Sequence, residues 1–371
     1  MATKDKGFLD ALKEVGQEKG IAPEVLFEAV EAALVSAYKR NFNTASNVRV
    51  YLERATGEFH VYAQKKVVEK VENKVTEISL LQAQKQFGES IVLDDVVEVE
   101  VTPANFGRIA AQTAKQVVVQ RIREAERGII YEEYSNRSSD ILTGTVQRME
   151  GHNVFIDLGK TEAVLAPSEQ ISTEQYKHND RIKVYVVEVK RTSKGSQILV
   201  SRTHPGLLKR LFELEVPEIQ EGTVEIKSVA REPGMRSKIA VFSANEEIDP
   251  VGSCVGQKGL RVQAVVDELR GEKIDIVKWN EDPAKYIANS LSPAKVVSVA
   301  VNEEKKMSRV IVPDYQLSLA IGKEGQNARL AAKLTGWKID IKSETQAAEE
   351  GFDSDDMNMV NVVSEESFSV D

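Results

Sequence analysis

The sequence predicts a multidomain α+β protein. Three observations support this: a unit of strand, helix, glycine loop, helix and strand occurs twice, five short strands precede it, and a mixed segment of helices and strands comes first. A chain of 371 residues, 42% of them apolar, can bury several hydrophobic cores. We expect domains at residues 1–135, 136–202, 203–278 and 279–343, followed by a disordered acidic tail at 344–371.

The formal net charge of −9 is concentrated in that tail. Residues 344–371 hold nine acidic and no basic side chains, so the rest of the chain is close to neutral. Low hydrophobicity and high charge predict disorder there. A nearly neutral body can still bind RNA through local basic surfaces, although its contacts should be weak and sensitive to salt.

The first 135 residues predict an α/β domain with a long connector helix. Apolar residues at helical spacing indicate one helix near the N-terminus, on Phe8, Leu9, Leu12 and Val15, and another opening at Pro23. A hairpin over 48–54 and 58–63, a helix over 79–87 and a strand over 96–101 follow.

The connector helix is predicted from about Asn105 to Tyr134. Arg108, Gln112 and Lys115 fall on one of its faces, because offsets of four and seven residues nearly complete whole turns.

Residues 136–202 predict a five-stranded OB-type β-barrel, a scaffold that commonly binds oligonucleotides. The strands are expected at 142–146, 153–159, 162–165, 182–189 and 197–202. The pattern resembles the S-one-type RNA-binding barrel. This resemblance implies that Phe155 stacks on RNA bases, although Ala163 and Ala166 replace the glycine and histidine usual on the third strand of that family.

The duplicated unit carries a Gly-x-x-Gly loop at 256–259 and again at 322–325, 66 residues later. Glycine lets the backbone turn tightly and approach a ligand, and the N-terminus of the following helix favours an anion. Duplication with the same flanking elements predicts two tandem KH domains of the bacterial arrangement, whose loops clamp nucleotides. We expect RNA contacts from Gly256, Gln257, Lys258, Gly259, Arg261, Gly322, Lys323, Glu324, Gly325 and Arg329, with Val255, Leu260 and Ile321 as apolar floors under the bases.

The same sequence argues against an enzyme, a metal site and a membrane protein. It has no complete phosphate-binding or nucleophile-elbow motif, and its four histidines are scattered. The single cysteine, Cys254, excludes an intramolecular disulfide, is expected in a core, and fits a cytoplasmic protein. No apolar run approaches the length of a membrane span. We expect no cofactor.

The order of these domains, together with Ala320–Ala331 and Gln112–Val117, closely resembles the NusA family of bacterial transcription termination and antitermination factors. The resemblance implies a monomeric, non-enzymatic elongation factor that binds RNA polymerase, nascent single-stranded RNA and other antitermination factors, and promotes hairpin pausing and intrinsic termination. It also implies that Arg108 and Lys115 face the emerging RNA hairpin.

Two alternatives remain open. One is a ribosome-associated RNA-binding protein or RNA chaperone built from the same modules. The other is an RNA-processing enzyme, since exoribonucleases also join KH and S-one-type domains. It is disfavoured because their modules stand in the reverse order and no catalytic domain is present in this sequence.

Overall fold

A computed structural model describes residues 10, 13–14, 16–18, 20–42, 47–104, 106–192, 195–350, 358–361 and 368–369. The chain forms two compact units, Met1–Ile130 and Tyr131–Asp371. The four apolar residues of the first predicted helix, at positions 8, 9, 12 and 15, lie outside the described ranges.

The first unit packs helices against a four-stranded sheet. Its strands are β1 (Val48–Leu52), β2 (Phe59–Val68), β3 (Glu77–Ser79) and β4 (Val96–Glu100). The long strand β2 pairs antiparallel with β1 and β4 and parallel with β3. The predicted hairpin is confirmed, whereas the short strand β3 was not predicted.

Among the described residues of this unit, positions 10, 13–14 and 16–18 are helical, and longer helices span Pro23–Phe42, Leu80–Phe87 and Phe106–Ser135, the last of which continues beyond the unit's boundary. Ser79 caps the second helix by accepting a hydrogen bond from the Gln82 amide. The third is 30 residues long, so it extends about 45 Å. Its buried face, which includes Phe106, Ala110 and Ala114, shares a core with Leu26, Val30 and Leu34.

In the second unit, the five predicted barrel strands are confirmed. They are β5 (Ile141–Glu150), β6 (Asn153–Asp157), β7 (Glu162–Leu165), β8 (Arg181–Thr192) and β9 (Gly195–Ser201). They close in the order β5-β6-β7-β9-β8. Alternate residues such as Val154 and Ile156 fill the interior, as the period of two requires.

Two sheets of the same topology follow the barrel. The first contains β10 (Glu225–Glu232), β11 (Arg236–Phe242) and β12 (Lys273–Lys278), and the second contains β13 (Ser298–Asn302), β14 (Met307–Val312) and β15 (Lys338–Ser343). In each, the central strand pairs antiparallel with the strand before it and parallel with the strand after the helices. This is the predicted tandem KH pair.

Helices pack on each sheet in the predicted order. In the first KH unit they span Pro205–Glu215, Pro217–Gln220, Pro250–Val255 and Leu260–Glu268, and in the second they span Pro283–Ser290, Leu317–Ile321 and Gln326–Thr335. Asp282 caps the first helix of the second unit, whose first residue is Pro283, as expected from that dipeptide. Cys254 is buried in the first KH core, and burial raises its pKa to about 12.

Two buried cations, Arg202 and Lys238, join the parts of the second unit. Arg202, at the end of the barrel, bonds Glu174 and the Glu268 carboxylate of the first KH domain, the latter at 3.2 Å. Lys238 on β11 bonds Asp275 at 2.8 Å and the carbonyl of Ser292 at 2.7 Å, between the two KH domains. These contacts fix the barrel against the first KH domain and the first against the second.

The tail departs in part from the predicted disorder. Glu344–Glu350 is a helix, strand β16 (Asn358–Asn361) pairs with β13, and strand β17 (Phe368–Ser369) pairs with β12. Backbone pairing at a sheet edge depends little on side-chain hydrophobicity, so composition alone did not predict it. The other residues beyond 350 lie outside the described ranges.

Candidate nucleic-acid interface

The two glycine loops adopt the same backbone conformation. The first glycines, Gly256 and Gly322, have φ/ψ of 74°/179° and 76°/171°. The third residues, Lys258 and Glu324, are both left-handed, with φ of 52° and 54°. The repeat therefore extends from sequence to geometry, as expected if both loops hold the same kind of ligand.

Close contacts require glycine at the first position of each loop, whereas at Gly325 in the second loop the backbone conformation requires it. A Cβ on Gly322 would lie 2.8 Å from the backbone nitrogen of Asn327, and one on Gly256 would lie 2.7 Å from Cγ of Arg261. At Gly325 nothing lies within 4 Å of an added Cβ, and the requirement is its φ of 73°. The open space beside Gly325 leaves room for the close approach of a ligand.

The cations of the two loops stand at different positions. Structurally equivalent residues of the two loops are 66 positions apart in the sequence. Gln257 therefore corresponds to Lys323, and Lys258 corresponds to Glu324. All four side chains are exposed. Each loop therefore offers one lysine, and the second loop carries a carboxylate where the first has its lysine.

The two predicted arginines have carboxylate partners. Arg261 bonds Glu218 at 2.9 Å and the carbonyl of Ser253 at 2.5 Å. Arg329 bonds Glu232 of the first KH domain and donates to the Glu324 carbonyl at 3.1 Å. The hydrogen bond from Arg329, with a smaller one from Gln326, holds the pKa of Glu232 below its ordinary value despite partial burial. Both arginines thus shape the loops as well as adding charge beside them.

Apolar side chains stand beside both loops. Leu260 is 68% exposed and Ile321 38% exposed, as a surface that meets bases requires, whereas Val255 packs partly into the first KH core. Two exposed residues before the second loop were not predicted: Tyr315, which is 81% exposed, and Leu319. Tyr315 follows Asp314 in a short 3₁₀ turn. The sequence around Tyr315 does not indicate that its ring is exposed, so only the structure shows this.

In the barrel, Phe155 lies on β6 and is partly buried. The guanidinium of Arg148 stacks over its ring, 4.2 Å from the centroid. An open groove of about 690 Å³ lies beside Phe155 and Val164, large enough for a nucleobase. Ala163 is fully buried, so its side chain belongs to the barrel interior and not to this surface.

In the first unit, Arg108, Gln112 and Lys115 are exposed on the long helix, opposite the buried Phe106, Ala110 and Ala114. The predicted common face is therefore present. Arg108 and Lys115 stay predictions as contacts for an RNA hairpin.

One group could hold a metal ion within the part of the chain that the structure describes: Glu53, Glu58 and His60, whose ligand atoms lie within 4.8 Å of one another. His60 Nδ1 already lies 2.8 Å from Glu100, and Thr56 donates to Glu53 at 2.6 Å. Contacts within the protein account for this surface cluster. Among the described helices, none is both long and apolar enough to span a membrane.

The chain is similar over most of its length to curated bacterial proteins named transcription termination/antitermination protein NusA. It is 64% identical to that of Bacillus subtilis, over 92% of this chain and 92% of the relative. It is also 64% identical to that of Halalkalibacterium halodurans, over 94% and 91% of the two chains. The Thermus thermophilus protein is 44% identical, over 90% and 89%. The chain belongs to the NusA family.

The domain profiles of NusA match the described parts in order. The NusA N-terminal domain matches residues 7–128, the S1 RNA binding domain 137–201, and the NusA-like first and second KH domains 202–279 and 283–349. A solved structure, the N-terminal domain of NusA from B. subtilis, is 58% identical over 33% of this chain and 98% of its own, with a TM-score of 0.30. The predicted NusA resemblance and the predicted fold class are confirmed.

Proposed function

We propose that this chain is a non-enzymatic transcription elongation factor that binds RNA polymerase and nascent single-stranded RNA. It prolongs pauses at RNA hairpins, promotes intrinsic termination and takes part in antitermination with other factors. The observation that carries this proposal is the pair of Gly-x-x-Gly loops with one backbone conformation, in a chain of the NusA family. We propose further that it acts in the cytoplasm as a monomer.

The loops are suited to phosphate and base together. Each has an exposed lysine and precedes a helix without acidic residues in its first turn, so its free amide groups and positive dipole end favour an anion. Leu260 and Ile321 supply exposed apolar contact next to the same loops. These features support binding of unpaired RNA, whose bases can splay out from its backbone.

Contacts between the KH domains support the binding of one strand by both loops. Leu334 accepts hydrogen bonds at its carbonyl from Ser228 at 2.8 Å and from Tyr286 at 3.0 Å, so three segments of the two domains meet there. A shared core of Ala230, Ala240, Val277, Tyr286, Leu330 and Leu334 lies beneath. Because the loops are held at a fixed separation, the second binds an RNA already held by the first without a further loss of translational entropy.

We assign polymerase binding to residues 1–135, the N-terminal domain. Tethering the RNA-binding domains to polymerase raises their effective concentration at the nascent transcript, which can increase avidity about 10²-fold or more without new contacts. A weakly charged RNA-binding surface is then sufficient. Exposed Arg108 and Lys115 would lie toward the emerging hairpin.

The test is a single-round transcription assay at a hairpin pause, with polymerase from the same organism. The full chain should lengthen the pause, and a variant without residues 1–135 should not, although it should still bind RNA. An unchanged pause with intact RNA binding would contradict polymerase docking and favour a ribosome-associated RNA-binding protein.

A further inference from the structure

The barrel surface carries a charged side chain that the RNA-binding assignment leaves unexplained. Arg148 on β5 lies directly opposite Phe155 on β6. A β-bulge between Val146 and Arg148 creates this register, since it leaves Gln147 without a partner on β6. Without the bulge, Gln147 would face Phe155.

The guanidinium of Arg148 is held at its edge. Its Nη1 bonds the carboxylate of Glu162 and lies 2.9 Å from Gln147 Oε1, while its Nε lies 2.8 Å from Glu150 Oε1. Guanidinium N–H groups donate in the plane of the group, so these partners fix the plane and leave its faces uncovered. One face stacks on Phe155, and the side chain is still 39% exposed.

These contacts make Arg148 a poor ligand for phosphate. Two carboxylates neutralise its charge, and the hydrogen bonds that Arg148 donates, first to Glu162 and then to Glu150, raise the pKa of Arg148 above its ordinary value. A phosphate would have to replace one of them against the repulsion of the other. An uncharged base that stacks on the outer face displaces no carboxylate and is not repelled by one. RNA-binding proteins commonly stack bases on the plane of an arginine guanidinium.

We propose that Arg148 is a base-stacking residue of the barrel and that an unpaired RNA base packs on its outer face. Phe155 then supports the guanidinium from behind, and Glu162 and Glu150 hold it flat. The proposal rests on the proposed function, because it supposes that the barrel contacts the same RNA as the KH loops.

The experiment compares RNA affinities of full-length variants by fluorescence anisotropy. The probe is a labelled single-stranded RNA of mixed sequence, about 30 nucleotides long, so that it can reach the loops and the barrel together. Arg148→Ala should weaken binding by at least about fivefold, the lower end of the range for loss of one stacked base. Arg148→Lys, which keeps the charge but not the plane, should lose nearly as much.

Two further readouts separate stacking from charge. The dependence of affinity on salt should be the same in Arg148→Ala and wild type, because no phosphate contact is lost, whereas Lys258→Ala should make it shallower. Arg148→Ala and Phe155→Ala together should weaken binding by less than the product of the single effects. Arg181→Ala removes an exposed arginine from β8 of the same barrel and is the matched control, with wild-type affinity expected.

Several results would overturn the proposal. Tighter binding by Arg148→Ala would show that Arg148 covers Phe155 and keeps bases away. Weaker binding with a shallower salt dependence, restored by Arg148→Lys, would show a phosphate contact. Loss in Phe155→Ala alone would leave an RNA-binding barrel without a role for Arg148. If neither substitution changes affinity while Lys258→Ala does, the barrel does not bind this RNA and only the KH part of the proposed function stands.

Discussion

Arg329 of the second KH domain bonds Glu232 of the first, with Nε 2.5 Å from Oε1 and Nη2 3.1 Å from Oε2. The Glu232 side chain is 15% exposed and that of Arg329 48% exposed. The sequence predicts that Arg329 contacts RNA. The structure shows that it also links the two KH domains beside the second loop.

Because Glu232 already neutralises Arg329, we expect Arg329→Gln to weaken RNA binding less than Lys323→Gln does. The ion pair itself should contribute little to stability because its arginine is 48% exposed and the charge is screened by water. A double-mutant cycle with Glu232→Gln should give a coupling of about 0.2–1 kcal/mol in chemical denaturation. An effect of Arg329→Gln on affinity as large as that of Lys323→Gln would show that the guanidinium leaves Glu232 to bind phosphate.

The loops themselves can be tested without disturbing their backbone. Changing Gln257 and Lys258, and likewise Lys323 and Glu324, to aspartate puts like charge where phosphates are proposed. Aspartate tolerates the left-handed conformation of the third loop position better than most residues, so the fold should be kept. RNA binding should fall below detection in an anisotropy titration.

Circular dichroism and thermal unfolding are the controls for these loop variants, and both should match wild type. A single altered loop should weaken binding less than both together. Retained affinity in the fully altered protein would mean that the loops are structural turns.

The loops could be predicted from the sequence because their conformation depends on local chemistry. The glycines at positive φ and the helix that begins directly after each loop lie within a few residues of one another. The offset of 66 between the motifs already pairs Lys258 with Glu324, and their matching φ values show that the two positions are structurally equivalent.

Residues whose roles depend on distant partners could not be predicted. Arg148 meets Phe155 only because of a bulge, and one residue of slip in register changes every cross-strand neighbour. Arg329 and Glu232 are 97 residues apart in sequence. Lys238 stands within an apolar strand, and only the tertiary structure shows the carboxylate and the carbonyl that allow its burial.

The long helix of the N-terminal domain offers a test of polymerase-proximal RNA contact. Arg108→Glu with Lys115→Glu should shorten hairpin pauses, because two exposed cations become anions facing RNA, and should leave RNA binding by the KH loops unchanged. Arg121→Glu is a control charge reversal on another face, since position 121 lies about 120–140° away around the helix, where Arg121 pairs with Glu124. Equal pausing in wild type and the double variant would refute the assignment.

The last prediction concerns the buried pair of Lys238 and Asp275 on neighbouring strands of the first KH domain, where Lys238 also donates to the Ser292 carbonyl of the second. Both side chains are fully buried, and Arg236 also bonds Asp275, at 2.7 Å. Burial would raise the pKa of Asp275, but the hydrogen bonds and charges of Arg236 and Lys238 outweigh it and hold this pKa below its ordinary value. The folded state therefore binds fewer protons than the unfolded state in the carboxyl range.

It follows that Asp275 stabilises the protein above the pKa of an unfolded aspartate, about 4, and that this stabilisation is lost as the pH falls through the lower folded value. Asp275→Asn should reduce the free energy of unfolding at pH 7 by about 3–5 kcal/mol, because Lys238 is left buried without its counter-ion. Urea denaturation from pH 7 downward measures both effects, and the variant should lose less stability than wild type on acidification. Lys238→Met combined with Asp275→Asn should cost less than the two single changes added together, since neither charge is then left alone. Additive costs, or parallel pH profiles of wild type and Asp275→Asn, would show that the pair does not act as a coupled unit.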